Sequence, residues 1–440
     1  MTQAAVRVGI LTGKEIAFIF TGNYSLSGVE ITTGHFFSVR YDHGEILFQG
    51  KKYKELLFKA LNREAAFLLQ NVTIGVTFHW ERKVDQLFSG DLKIILSGET
   101  VTAVNIVPVE DYLVSVISSE MSSTASPEFL KAHAVISRGW LLAQINKNKP
   151  EKTEEISFSS LVRNDNEYIR WYDREDHELF DVCADDHCQR YQGISHILSP
   201  KAEQAVHDTC GQVLTYDHQI CDTRFSKCCG GMTEEFQSCW EPVKHPYLIA
   251  LPDKNPDSGE SVSDLSDEDH ARIWIESSPE AFCNTSDETV LKQVLKDYDR
   301  ETTSFYRWKV EYDREELAGL ISRRSGIDFG TIIDLIPVER GKSGRLVKLK
   351  IVGTRKTLIV GKELEIRRIL SESHLYSSAF IIEKESITDH LPQKFILRGA
   401  GWGHGVGLCQ IGAAVMGEKG YRYDEILRHY FPGTTIEKRY

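Results

Sequence analysis

The run VNIVPVEDYLVSVISSEMSSTASPEFLKAHAVISRGW, Val104 to Trp140, is where the apolar residues change period. Up to Val107 they alternate as in strands; beyond Pro108 they recur every three or four positions, as on a helix. Pro108 opens a first helix with Glu110 and Asp111 in its first turn, where the helix dipole favours acids. Ser126-Pro127-Glu128 opens a second, an N-cap followed by proline at the first helical position, and the pattern carries on to Ile145. On a 3.6-residue period Leu113, Val116 and Ile117 form the first helix's apolar stripe, and the next position on that stripe is Glu120. A carboxylate on a buried stripe is costly to ionise, which suits a general acid working near neutral pH. The same residue equally fits a helix end that reaches water. On the second helix Lys131 and Arg138 lie seven apart, on one face and about 10 Å along the axis. Such a pair fits an anionic or polyhydroxyl ligand, and also a solvated stripe.

Outward from this pair the chain reads as a mixed α+β protein of 440 residues, long enough for two or three domains. Val6 to Val107 is β-rich and starts directly with a strand at Val6–Leu11; one helix is expected at YKELLFKALNREAAFLL, Tyr53 to Leu69. Residues 146 to 193 read as loops with short elements, and strands return between Gln204 and Leu251. Pro252 to Asp269 is acidic, serine-rich and almost without apolar residues, a surface loop or linker. A mixed α/β segment follows to Glu385, with a helix near REELAGLISRRSG and strands near RLVKLKIVGTRKTLIV. The expected divisions are 1–103, 104–251, 252–385 and 386–440.

Near the end, GAGWGHGVGLCQIGAA (Gly399 to Ala414) sets glycines around Trp402, His404 and Gln410. No Gly-Lys-Ser/Thr follows, so it is not a phosphate loop. The glycines point to a backbone that bends tightly or closely approaches something. Net charge is −12 with no basic block, which argues against nucleic acid as the main partner. No apolar run is long enough to span a membrane. The opening MTQAAVRVGILTGKEIAF lacks the basic region, long apolar core and cleavage site of a secretory signal, so the expectation is a trimmed leader or a protein that stays inside. Nine cysteines, two of them adjacent at Cys228 and Cys229, fit reduced thiols or metal ligands better than a disulfide framework.

Three ordered blocks together resemble the SpoIID/LytB family, the stage II sporulation protein D group of cell-wall enzymes. They are VNIVPVEDYLVSVISSEM with SPEFLKAHAVISRGW, then AVHDTCGQVLTYDHQICDTRFSKCCGGMTEE, then GWGHGVGLCQIGAAVMGEKGYRYDEILRHYFPGT. The resemblance makes 104–251 and 386–440 the two parts of a SpoIID-like core around an inserted subdomain. It implies a lytic transglycosylase that cuts the β-1,4 bond after N-acetylmuramic acid in peptidoglycan and leaves a 1,6-anhydro end. The family's acid falls on Glu120. One carboxylate suffices, because the sugar's own C6 hydroxyl is the nucleophile, whereas hydrolytic glycosidases commonly need two.

The resemblance also places Lys131, Arg138, His404 and Gln410 around Glu120. It further implies an extracytoplasmic, wall-associated location. His177, Cys183 and Cys188 form an H-x5-C-x4-C set of soft ligands that suits zinc, and some family members carry a similar set there. A structural ion is expected, its fourth ligand open among His187, Asp186, Cys210 and water. The chain departs from the family at His133, Gly139, Cys409 and the run Ser226-Lys227-Cys228-Cys229. Two other readings stand beside the enzyme: a wall-binding amidase enhancer without catalysis, and a cytosolic zinc-thiol protein reusing the fold.

Overall fold

The computed structural model describes residues 4–31, 33–75, 81–122, 124–147, 159–172, 177–185, 188–195, 199–255, 262–294, 304–388 and 391–440. The chain forms two compact units, in place of the four segments expected. The first comprises Met1–Lys152, Glu175–Asp222 and Ile436–Tyr440; the second comprises Thr153–Arg174 and Thr223–Thr435. The break at Asp222/Thr223 precedes the expected one at 251/252. The glycine-rich C-terminal block folds with the segment read as an insertion. Among the described residues no helix is long and apolar enough to cross a membrane.

In the first unit a seven-stranded sheet runs in the spatial order 182–183, 5–13, 100–108, 91–97, 55–60, 24–26, 29–31. A six-stranded sheet runs 82–89, 66–74, 15–20, 36–42, 45–48, 51–53. Glu15–Phe20 and Glu45–Phe48 bury every second side chain, as half-buried strands do. Phenylalanines from both sheets meet between them, Phe18 with Phe58 at 5.5 Å and Phe48 with Phe58 at 5.4 Å between ring centroids. Each such fully buried ring contributes about 1.5–3 kcal/mol of burial.

The helix expected at Tyr53 to Leu69 is absent. Strands Glu55–Ala60 and Ala66–Ile74 occupy that run. Leu56 and Phe58 point to the core, and the ladder to Leu92–Ile95 satisfies the backbone of the first strand. Leu, Lys, Glu and Ala favour a helix locally, but long-range pairing overrides that weak preference.

Among the described residues three helices complete the first unit: α1 (Val109–Glu120), α2 (Pro127–Lys147) and α3 (Pro200–Asp208). Pro108 is the N-cap of α1, and Glu110 and Asp111 lie in its first turn. α2 packs against both others, and most of its residues from Phe129 to Leu142 are buried on every side.

The second unit holds a five-stranded sheet in the order 161–163, 167–170, 357–361, 346–353, 332–340, and a three-stranded sheet in the order 307–313, 391–400, 380–388. The helix read at Arg314 forms over Arg314–Ser325 and stops at Gly326, whose φ of 68° provides the left-handed cap. Trp308, Leu317, Ile321, Leu349, Phe380 and Phe395 belong to this unit's core. Pro252 to Asp269 is more than a surface loop: Asp253 and Leu265 are buried, and the helix Glu268–Glu276 begins within it. Average composition concealed these two anchors.

Candidate active site

Glu120 is the last residue of α1 and is half-buried, while Leu113, Val116 and Ile117 on the same stripe are fully enclosed. The Arg190 backbone N–H donates to Glu120 Oε1 at 3.2 Å, which fixes the direction of the carboxylate. That donor belongs to a segment stitched along α1. Tyr191 stacks on Tyr112 with centroids 5.0 Å apart, the Gln192 N–H donates to Ser115 Oγ, and that hydroxyl donates to the Gly193 carbonyl at 2.6 Å. Arg190 contributes a main-chain group, so side-chain chemistry gave no signal for it. A cavity of about 190 Å³ between the first strand and the stretches 183–185 and 190–192 also touches Arg190. It is smaller than the roughly 300–1,000 Å³ of a typical ligand pocket, and a glycan strand needs an open groove.

Lys131 and Arg138 of α2 are both engaged. Lys131 pairs with Glu128 at 3.1 Å and with Asp208 of α3 at 3.4 Å. Arg138, expected beside Glu120, is instead fully buried against Glu110, with Nε to Oε1 at 2.8 Å and NH2 to Oε2 at 2.5 Å. Its remaining nitrogen donates to the Gln212 carbonyl at 3.0 Å. The Tyr440 hydroxyl and the Gly211 N–H also donate to Glu110 Oε1. Glu110 and Glu120 are ten residues apart on one helix, about 15 Å along its axis. Arg138 therefore closes the first turn of α1, at the end opposite the acid. His133, also buried, shares a contact with Ser137 Oγ at 3.2 Å.

His177, Cys183 and Cys188 come together as expected of a ligand set. One ligand atom from each lies within 4.8 Å of the others, with Cys188 Sγ 3.3 Å from His177 Nε2. The donor set and spacing fit a borderline-soft divalent ion. Of the fourth ligands left open, Cys210 sits beside Glu110 and outside this group, its thiol pushed up first by burial and then by that carboxylate. His187 and Asp186 lie outside the described residues. Cys188 is two residues from Arg190, so whatever holds this cysteine also steadies the donor to Glu120.

His404 and Gln410 fold in the second unit. His404 is half-buried and accepts the Val406 N–H on Nδ1 at 3.0 Å, and its ring meets Trp240 edge-on at 4.9 Å. Gln410 is buried at the start of the helix Gln410–Glu418. The glycines around His404 have a steric cause. Gly401, Gly403, Gly405 and Gly407 all adopt positive φ, from 73° to 95°. Their backbone interlocks with the Cys-Cys-Gly-Gly turn through paired bonds between Cys228 and Trp402 and a Glu234 N–H to the Gly405 carbonyl. The buried Arg345 guanidinium ties the two loops by donating to the carbonyls of Gly403 and Cys229.

A Cβ on Gly407 would lie 2.2 Å from the Arg224 carbonyl oxygen, which already accepts the Leu408 N–H. Gly407→Ala is expected to destabilise the second unit by about 3 kcal/mol or more in urea unfolding. Gly420→Ala shares a positive φ but has open space around its Cβ, so a loss of about 1–2 kcal/mol is expected there.

Burial holds His404 well below its ordinary 6.5, and the cations of Arg224 and Arg345 add to this. Burial, then Arg367, pushes His374 down to about 4. For both groups the unfolded chain binds the proton first as pH falls. Their stabilisation is complete above the ordinary value of 6.5 and is lost below it, at up to about 1.4 kcal/mol per pH unit for each histidine. The melting temperature of the second unit should fall between about pH 7 and pH 5, and fall less in His374→Gln.

Residues 97–216 match the family model described as Stage II sporulation protein, and residues 234–407 match one described as Domain of unknown function (DUF8618). The first match contains Glu120, Lys131, Arg138 and the His–Cys–Cys group. His404 lies in the second, and Gln410 lies outside both. Similar proteins include stage II sporulation protein D of Bacillus subtilis strain 168, 24% identical over 76% of this chain and 75% of the relative. Stage II sporulation protein D of Bacillus amyloliquefaciens gives the same identity and coverage. The amidase enhancer of B. subtilis strain 168 is 24% identical over 74% of this chain, but the match spans only 40% of that protein.

Proposed function

We propose that this chain, which carries a stage II sporulation protein domain over residues 97–216, acts on the bacterial cell wall as a lytic transglycosylase with Glu120 as its acid and base. The observation that carries the reading is a half-buried carboxylate at the end of a largely buried helix, aimed by the Arg190 amide. In the cleavage Glu120 protonates the glycosidic oxygen as the bond to C1 of N-acetylmuramic acid breaks. The resulting carboxylate then takes the proton of the C6 hydroxyl as that oxygen closes on C1. No water is consumed, and Glu120 ends the cycle protonated again.

Lys131 remains the candidate to contact substrate from α2, while Arg138 serves as a positioning residue for α1. His404 and Gln410 stay proposed contributors to glycan binding. Zinc on His177, Cys183 and Cys188 would pin residues 188–193, the segment that aims Glu120. The proposed setting is extracytoplasmic, since the similar proteins are named for sporulation and amidase enhancement.

A second reading draws on the similarity to an amidase enhancer and on the engagement of Lys131 and Arg138. In it the chain binds wall polymer and stimulates an amidase without cutting glycan. The test is mass spectrometry of soluble products from purified glycan strands, with and without stem peptides. Anhydro-muramyl ends support the lyase, and strands that are bound yet uncut support the enhancer. Absence of binding would sink both.

A further inference from the structure

The second unit gathers four more cysteines that the proposed reaction does not use. Cys228 and Cys229 lie in the turn after the strand Phe225–Ser226, Cys283 follows the helix Glu268–Glu276, and Cys409 caps the helix Gln410–Glu418. All four are buried, as is Asp253. One ligand atom from each of Cys229, Asp253, Cys283 and Cys409 lies within 4.8 Å of the others.

Cys229 Sγ and Cys283 Sγ are 3.6 Å apart. A disulfide would place them at about 2.05 Å. A tetrahedral ion with metal–sulfur bonds of about 2.3 Å would place them about 3.8 Å apart. Buried cysteines alone pass for small apolar side chains, but a fully buried carboxylate among them does not. Removing Asp253 from water costs several kcal/mol unless charge and hydrogen bonds offset it, and His429, its Nε2 3.8 Å from Oδ1, supplies charge only when protonated.

The surroundings of Asp253 orient it inward. The Tyr430 hydroxyl donates to Oδ1 at 2.6 Å and the Cys283 N–H to Oδ2 at 2.9 Å. A Cβ on Gly412 would fall 2.7 Å from both carboxylate oxygens, so the helix makes room for them. The Cys229 N–H donates to Cys409 Sγ at 3.2 Å, the kind of outer-shell bond that supports a thiolate ligand. Cys409 also stands at a helix N-terminus, whose dipole favours the thiolate.

We propose that Cys229, Asp253, Cys283 and Cys409 bind a zinc ion in the second unit, separate from the His177, Cys183 and Cys188 group in the first. Binding replaces three thiol protons, released to solvent, with three zinc–sulfur bonds and one zinc–oxygen bond. The ion cross-links the Cys-Cys-Gly-Gly turn, the Asp253 segment, the Cys283 loop and the end of the glycine-rich loop. This site does not depend on whether the chain cuts glycan.

The test is the zinc content of the full chain by elemental analysis and native mass spectrometry, in wild type, in Cys188→Ser and in its combinations with Cys283→Ser and Asp253→Asn. Wild type is expected to hold two zinc ions and Cys188→Ser one, and adding Cys283→Ser or Asp253→Asn to Cys188→Ser is expected to leave none. Because Cys283→Ser can fail to fold, cobalt(II) exchanged into Cys188→Ser gives a second readout. A tetrahedral cobalt spectrum with sulfur charge-transfer bands is expected. The proposal is overturned by zinc in Cys188→Ser that survives the loss of Cys283, by a Cys229–Cys283 disulfide without metal, or by an iron–sulfide chromophore.

Discussion

Glu120→Gln is expected to release no anhydro-muramyl product from glycan strands on which the wild type does, a rate loss of at least about 10²–10⁴. The fold should survive. Glutamine keeps the carbonyl oxygen that accepts the Arg190 N–H, and it occupies the same half-buried position at the end of α1. What it lacks is a proton to give and then recover. Unchanged circular dichroism with lost cleavage would therefore isolate the chemistry from the scaffold. Glu120→Asp tests geometry, because one methylene fewer withdraws the acid by about 1.5 Å, enough to cost on the order of 100-fold. Equal product from wild type and Glu120→Gln would remove the residue from the mechanism. Cleavage by neither, with binding intact, would favour the enhancer.

Arg138→Ala should produce the largest stability loss in the first unit, about 3–5 kcal/mol, seen as a fall in melting temperature of roughly 6–20 °C. Its guanidinium has no exposure, and Glu110 would be left without its main partner near the base of α1. The Tyr440 hydroxyl and Gly211 N–H would remain, insufficient for a largely enclosed carboxylate. Replacing both partners, as Glu110→Gln with Arg138→Met, should recover much of the loss because no buried charge is stranded. A loss below about 1 kcal/mol in Arg138→Ala would mean the pair is solvated, and would return Arg138 to the list of substrate contacts.

The legible parts of this protein are those encoded by neighbours in the chain. The helix pair followed from a proline at each start, acids in the first turn and a 3.6-residue stripe; α1 and α2 begin within a residue of the expected positions. The positive φ angles at Gly401 to Gly407 answer to glycines spaced two apart. The H-x5-C-x4-C spacing gave the cluster of His177, Cys183 and Cys188 in the first unit because a short loop can close on itself.

The illegible parts depend on partners far along the chain. Tyr53 to Leu69 carries residues that favour helix, yet hydrogen bonding to Leu92–Ile95 decides for strand. Arg138 looked like one of two cations on an open face, and only the arrival of Glu110 and the chain end makes it an interior tie. Asp253 sat in a stretch whose composition says solvent, and Cys283 had no cysteine at a ligand-like spacing. Sequence by itself determined the helical pair, the place of Glu120 on its stripe and the bends of the glycine loop, because those arise from local propensity and capping. Tertiary structure alone decided which charges were desolvated and which thiols met, because burial and pairing energies belong to groups that the chain brings together only on folding.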